Sequence, residues 1–404
     1  MMKTILITLA AVLSAGTLSA GNSVFSSMGF PYQYYGADAY GLTMGETGLA
    51  DVFRKNTGYA NPAMHNLSNK MLISTGLMFG YSYYEMANGE GAGYTDNSLD
   101  LPFFSISAPF RKHRLGLQFN SYASGNLRNE LRIDSLGIVE KHEFDKYIYR
   151  ADVVYSYNLG RLKLGISGNY LFGHDDHYFT QEGQFGVFNT KEILRRNFKN
   201  PTVTAGILTH WERWSMGAYY TAGTVLKGDL VRSSIHETES AEDYEYELPP
   251  HIAAGVTVIP VPTVKISADI HYDPWSTVDE NRYENSYRIA IGVAYEPVWE
   301  IGSSALSAVP WRMGASYRRL PFHDKDSNTI AEYSVSCGMS LPLSRDANQI
   351  DLGFIALRRG ALSSNTLQET SLMFVVGITG FDILTREPTR TAPRYIPKAE
   401  ELAN

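Results

Sequence analysis

From residue 333 to 341 the chain alternates strictly. Tyr333, Val335, Cys337, Met339 and Leu341 fall on one side, and Ser334, Ser336, Gly338 and Ser340 on the other. Residues 264 to 272 repeat the pattern, with Val264, Ile266, Ala268, Ile270 and Tyr272 opposing Lys265, Ser267, Asp269 and His271. So do residues 311 to 318, where Trp311, Met313, Ala315 and Tyr317 oppose Arg312, Gly314, Ser316 and Arg318. A period of two is that of a strand with one apolar and one polar face. Fourteen strand-like segments follow from this reading, at 70–84, 99–108, 114–124, 146–159, 161–173, 201–212, 214–230, 245–259, 263–275, 284–297, 310–321, 329–342, 348–359 and 370–383.

The links between these segments alternate in length. Short ones, PFRKHR (109–114), NLGR (158–161), HWERW (210–214), PVP (260–262) and SRDAN (344–348), are joined by one longer link at 298–309. Between them lie long polar stretches at 85–98, 125–145, 174–200, 231–245, 275–283, 322–328 and 360–369. Tight turns on one side and long loops on the other are the organisation of an outer-membrane barrel. The small Gly and Ser residues of the polar face predict a filled lumen, since a sandwich facing bulk water seldom needs so many. The expected fold is all-β: a 14-stranded antiparallel transmembrane β-barrel over residues 70–384, with both ends in the periplasm.

Such a wall is roughly 28 Å across, from strands about 4.8 Å apart tilted by about 40°. Side chains alone do not fill that width. Residues 21–69 lack a long strand pattern and are predicted to form an N-terminal plug in the lumen, the alternative being a disordered periplasmic leader, against which their Tyr, Phe and Leu content speaks. Within it, Gly41, Gly45 and Gly48 would permit tight turns and Pro62 would stop a short helix.

The ends are of another kind. Residues 1–20 combine Lys3, an apolar run and then small residues up to Ala20, the layout of a secretory signal peptide. No later run reaches the roughly eighteen apolar residues of a spanning helix, so any crossing is by strands. Residues 385–404 are predicted to be an extended periplasmic tail. Cys337 is the only cysteine, which leaves closure of the sheet, not disulfides, to hold the chain. Net charge is -7 with no phosphate-tracking basic cluster, so nucleic acid is not an expected partner. The 27 tyrosines suit aromatic girdles at the two bilayer interfaces, and Tyr147, Tyr149, Tyr155 and Tyr157 share one parity.

Candidate chemistry lies in two places. The stretch 174–200 carries Phe179, Phe185, Val187, Phe188, Ile193, Leu194 and Phe198 beside Arg195 and Arg196, a composition suited to capturing an amphiphile with a carboxylate head, or to packing on itself over the barrel mouth. On the inferred lumen face stand Arg150, Asp152, Lys163, Lys265, Asp269, His271, Arg288, Arg312 and Arg318. They form either a polar site for a head group or, since buried charges require partners, a network closed among themselves and with Asp51 or Arg54 of the plug. The string HDDH (174–177) suggests a metal site or a His/Asp pair, but His174 and Asp176 share one face and Asp175 and His177 the other, so a single strand cannot converge all four, and no second cluster stands at a neighbouring rim. No hydrolase, zinc or phosphate-loop motif is present, so neither catalysis nor a cofactor is expected.

Three sequence matches resemble the FadL family of long-chain fatty acid transporters. Gly48, Leu49, Ala50 and Asp51, followed by Asn61, Pro62 and Ala63, are similar to that family's amino-terminal plug and its closing NPA tripeptide. LPPHIAAGVTVIPVPTVKISADIHYDPWS (248–276) resembles a strand pair ending in an acidic residue, Tyr and Trp-Ser, and VPWRMGASYRRLP (309–321) a Gly-x-x-Tyr strand. Met64 replaces the glycine that usually follows NPA, and the chain runs on past its last strand. The resemblance implies an outer-membrane channel for hydrophobic compounds such as long-chain fatty acids, with Asn61, Pro62 and Ala63 forming a hatch. Its partners would be outer-membrane lipid and a hydrophobic small molecule. The alternative is a noncatalytic barrel of the same kind that binds protein partners through its loops or tail, as an adaptor in secretion or surface anchoring. A lateral gap in the wall with an apolar lining favours the first, and a solidly filled lumen the second.

Overall fold

A computed structural model describes residues 23–25, 32–33, 37–54, 60–67, 70–87, 94–133, 137–183, 189–235, 237, 239, 241–297, 309–324, 326–342 and 349–380. The expected signal peptide (1–20), the tail (385–404), and Phe185, Val187 and Phe188 lie outside the described residues.

Seventeen strand segments form the wall, and three pairs of them are halves of single interrupted strands, leaving fourteen. In chain order they are β1 (Leu72–Met86), β2 (Tyr94–Asp100 and Phe103–Phe110), β3 (His113–Ile133), β4 (Ile138–Asn158), β5 (Leu162–Gly183), β6 (Thr190–His210), β7 (Trp214–Thr221 and Thr224–Ser234) and β8 (Glu242–Leu248 and His251–Val261). The rest are β9 (Val264–Asp273), β10 (Ser286–Tyr295), β11 (Trp311–His323), β12 (Thr329–Pro342), β13 (Gln349–Arg359) and β14 (Leu367–Gly380). Every neighbouring pair is antiparallel, and β14 closes on β1 from Leu367 opposite Met86 to Gly380 opposite Ile73. The fourteen-stranded barrel is therefore as the alternation predicts.

Inside and outside follow from the period of two. Leu115, Leu117, Val153, Ile166, Val203, Ile270, Ile291, Met313, Val335, Phe354 and Leu372 are exposed on the outer wall, whereas Arg114, Ser156, Ser167, Ser215, Ser267, Arg288 and Arg312 are buried inside. An apolar band around a closed barrel with a polar interior can rest only in lipid. This is an outer-membrane barrel.

Four of the long links are shorter than expected and their strands longer, whereas the link expected at 275–283 is longer, running from Asp273 to Ser286. Residues 174–200 and 125–145 were expected as loops, yet β5 runs to Gly183, β6 starts at Thr190, β3 runs to Ile133 and β4 starts at Ile138. The upper arms of β2, β7 and β8 likewise take up much of the links at 85–98 and 231–245. Above the bilayer both faces of these hairpins meet water, so their strands are polar on both sides and carry no apolar alternation to read.

Candidate functional site

Residues 37–54 and 60–67 sit against the inward face of the wall. Helix α1 (Ala39–Leu42) begins at Asp38, whose Oδ1 accepts from the Gly41 N–H at 2.9 Å. Gly41 is thus helical and not at a turn, while Gly45 (φ 72°) and Gly48 (φ 106°) take left-handed conformations. The Gly45 N–H donates to Ser336 Oγ at 2.8 Å, and the N–H groups of Gly48 and Leu49 converge on Asp269 Oδ2 at 2.7 and 3.0 Å.

The charges expected on the lumen face point inward and are used up there. Lys265 lies 3.1 Å from Asp51 and 2.7 Å from Glu296. Arg312 bonds Thr43 Oγ1 at 2.9 Å and pairs with Asp351 at 3.0 Å. Arg288 pairs with Glu46 and donates to His271 Nε2 at 2.8 Å, and Arg318 donates to the Gln33 carbonyl at 2.8 Å. Arg150 pairs with Asp152 at 3.0 Å, and Lys163 Nζ lies 3.3 Å from His210 Nδ1. Arg54 pairs with Asp38 within the luminal segment itself. Tyr40 stands at the centre, its ring under Arg312, Lys265 and Arg54 at 4.4, 5.1 and 5.2 Å, a set of cation–π contacts.

At the NPA tripeptide, Asn61 Nδ2 donates to the carbonyls of Leu49 (3.3 Å) and of Ile207 in β6 (3.2 Å), while its Oδ1 accepts from the Ala63 N–H at 3.0 Å. One amide therefore ties two stretches of the luminal segment to the wall. Pro62 opens a 3₁₀ helix, Pro62–Leu67, where the sequence suggested it would end one. Proline is well placed in a first turn, since its missing N–H has no acceptor to lose there.

Above this polar floor the wall breaks. The lower arm of β2 pairs with β3 from Phe103 opposite Asn120 to Phe110 opposite His113. Past Leu101 and Pro102 the upper arm pairs with β1, and among the described residues it does not pair with β3. Beside the break β3 carries an irregularity between Ser121 and Ala123, and Tyr32–Gln33 of the luminal segment pairs there instead, opposite Ser124 and Ala123. Gln33 Nε2 also donates to Tyr122 Oη at 3.0 Å. At this height the inward residues turn apolar. Ala123, Ile148, Leu171, Phe198, Leu226 and Leu248, one from each of β3 to β8, join Trp275 and Tyr283 in one buried cluster, each 6% exposed or less. Sequence reasoning missed this ring except for Phe198. The alternation around these residues is faint, Leu171 and Leu226 having apolar neighbours in Phe172 and Val225, and a one-residue shift in β3 changes which parity faces in. Pro102, Gly223 and Pro250 at the strand interruptions were the available signal.

The profile of the BamG family matches residues 1–382. The chain belongs to the BamG family. No curated protein sequence matches it. Among solved structures, this BamG-family barrel is similar to a Pseudomonas aeruginosa FadL homologue, with a TM-score of 0.62 at 11% identity over 87% of this chain and 99% of that one. It is also similar to the P. putida toluene transporter TodX (0.60, 16% identity, 85% and 98% covered) and to the Ralstonia pickettii toluene transporter TbuX (0.59, 14%, 85% and 98%). The likeness is one of fold, and the FadL-type barrel suggested by the three sequence matches is the one found.

The described candidate capture residues of the BamG-family chain, Phe179, Leu194, Arg195, Arg196 and Phe198, lie on the paired strands β5 and β6. Phe179 packs on His142 (4.8 Å between centroids), next to Phe144 stacked on His177 at 4.2 Å. Leu194 stands opposite His177, while Phe198 belongs to the apolar ring below. Arg196 pairs with Asp175 at 3.1 Å and covers the Tyr244 ring, and Arg195 pairs with Asp176 at 3.0 Å on the other face. The HDDH string is thus divided between faces. His174 is held above the ordinary imidazole range by the Asp145 carboxylate 3.7 Å away, and partial burial beside His142 holds His177 below it.

Proposed function

We propose that this BamG-family barrel conducts hydrophobic compounds across the outer membrane, with residues 21–69 acting as the plug. The observation that carries this reading is the break between β2 and β3, which lies beside the apolar ring that ends at Ala123. An apolar solute crosses a polar lumen poorly, but gains at each step along apolar side chains that lead toward lipid. Transport of toluene by the similarly folded TodX and TbuX supports the same direction. A long-chain fatty acid is the finer assignment, since Lys146 and Arg196 stand in the layer above the ring, where a carboxylate head would rest. Asn61, Pro62 and Ala63 serve as the hatch that joins plug movement to the wall.

One observation favours a second reading, a closed barrel that binds protein partners. The two cavities found between the luminal segment and the wall hold only about 30 Å³ each, room for a water or two. Both readings meet in Ala123→Trp, which fills the break. Uptake of labelled oleate and of a monoaromatic hydrocarbon by cells should fall at least tenfold while the barrel keeps its heat-resistant mobility. Unchanged uptake, or none in wild type, defeats the channel and leaves the protein-binding barrel.

A further inference from the structure

Three adjacent periplasmic turns, between β2 and β3, β4 and β5, and β6 and β7, carry exposed Arg111, Lys112, Arg161 and Arg213 against one carboxylate, Glu212. The other half of this rim differs. The described β8–β9 turn around Pro262 has no charge. In a chain of net charge -7 this is a local reversal of sign.

Two further features belong to the same turns. Arg111 holds a left-handed backbone (φ 57°), a position in a two-residue hairpin that Gly or Asn adopts at less cost. A cation stands there against backbone preference. Aromatic side chains fix the height: Trp211 and Trp214 stack at 3.7 Å, Phe110 is 69% exposed, and His113 Nδ1 meets Tyr155 Oη at 2.7 Å. Exposed Trp, Tyr and Phe at the ends of barrel strands lie at the bilayer interface, so the four cations stand at the level of lipid phosphates.

We propose that this arc of the periplasmic rim binds the phosphate headgroups of anionic phospholipids in the inner leaflet, and so fixes which lipids surround β2 to β7. The opposite half, with Tyr295 and Trp311 5.6 Å apart and no cation in the described turn beside it, supplies an internal control.

The test uses the full chain in phosphatidylcholine nanodiscs containing brominated phosphatidylglycerol or brominated phosphatidylcholine, with tryptophan fluorescence as the readout. One variant, Trp275→Phe and Trp299→Phe with Trp311→Phe, reports from Trp211 and Trp214. The other, Trp275→Phe and Trp299→Phe with Trp211→Phe and Trp214→Phe, reports from Trp311. Phosphatidylglycerol should be preferred about tenfold or more at Trp211 and Trp214, since each nearby cation contributes on the order of fivefold. It should show little preference at Trp311. Replacing Arg111, Lys112, Arg161 and Arg213 with Gln should abolish the preference, and Arg→Lys at the three arginines should keep it. Equal quenching by the two lipids, an equal preference at Trp311, or a preference that survives the Gln variant would overturn the proposal. So would its loss to soluble glycerol phosphate at matched concentration, which would assign the rim to free phosphate.

Discussion

The two halves of the barrel are built on different plans. Strands β3 to β6 have 21 or 22 residues, whereas β9 to β14 have 10 to 14. The short half grips the luminal segment at close range. Gly292 and Gly314 lie against the backbone of Met44 and Gly45, and Gly338 and Gly353 against the Thr43 side chain. The tall half also holds the segment at its base, with Gly165 against the backbone of Pro62 and Ala63 and Gly206 against Asn61 and Pro62, then rises past it, carries the apolar ring, and continues as hairpins held by cross-strand ion pairs such as Arg128 with Glu143 at 2.7 Å. The same alternating sheet thus serves as a clamp on one side and as a chamber wall on the other. What separates them is the layer above that base, where β3 to β8 carry the ring of buried apolar side chains.

The comparison breaks most easily at the clamp. Asp351→Ala leaves the fully buried Arg312 without its 3.0 Å partner. That should cost about 3–5 kcal/mol in urea unfolding from lipid vesicles, and Arg312→Met with Asp351→Leu should recover most of it. Equal loss in single and double variants would show that the pair is not what the clamp depends on.

A smaller but more local effect is expected from Gly314→Val. Its Cβ would overlap the backbone of Met44 and Gly45, which no side-chain rotation relieves. A loss of about 1–3 kcal/mol should accompany new protease cleavage after Arg54, as the luminal segment is pushed from the wall. Wild-type resistance at Arg54 would mean that the segment is held elsewhere, at Asn61 and Asp269.

The smallest effect belongs to the tall half. Arg128→Ala removes an ion pair whose side chains are 69% and 37% exposed, and the change should stay under about 1 kcal/mol by the same unfolding measurement. A larger loss would show that the hairpins are part of one cooperative unit with the clamp.

Much of this was legible in the chain. Alternation in 264–272, 311–318 and 333–341 specifies strands, faces and register, because a one-residue slip would put Arg312 or Lys265 into lipid. The lumen charges were readable for the same reason, since the polar face of a barrel strand has nowhere to point but inward. Parity names the side a residue faces and says nothing of its partner across the lumen. That Asp51 meets Lys265, Glu46 meets Arg288 and Asn61 reaches the Ile207 carbonyl was decided only when the segment packed inside the closed sheet. The break at Leu101 and Pro102 and the ring from Ala123 to Leu248 are likewise tertiary. A shift at Ser121 leaves every neighbouring residue type unchanged while redirecting the whole upper strand. The tall hairpins escaped for the opposite reason, because strands with water on both faces keep their backbone pairing but lose the apolar period by which a strand is recognised.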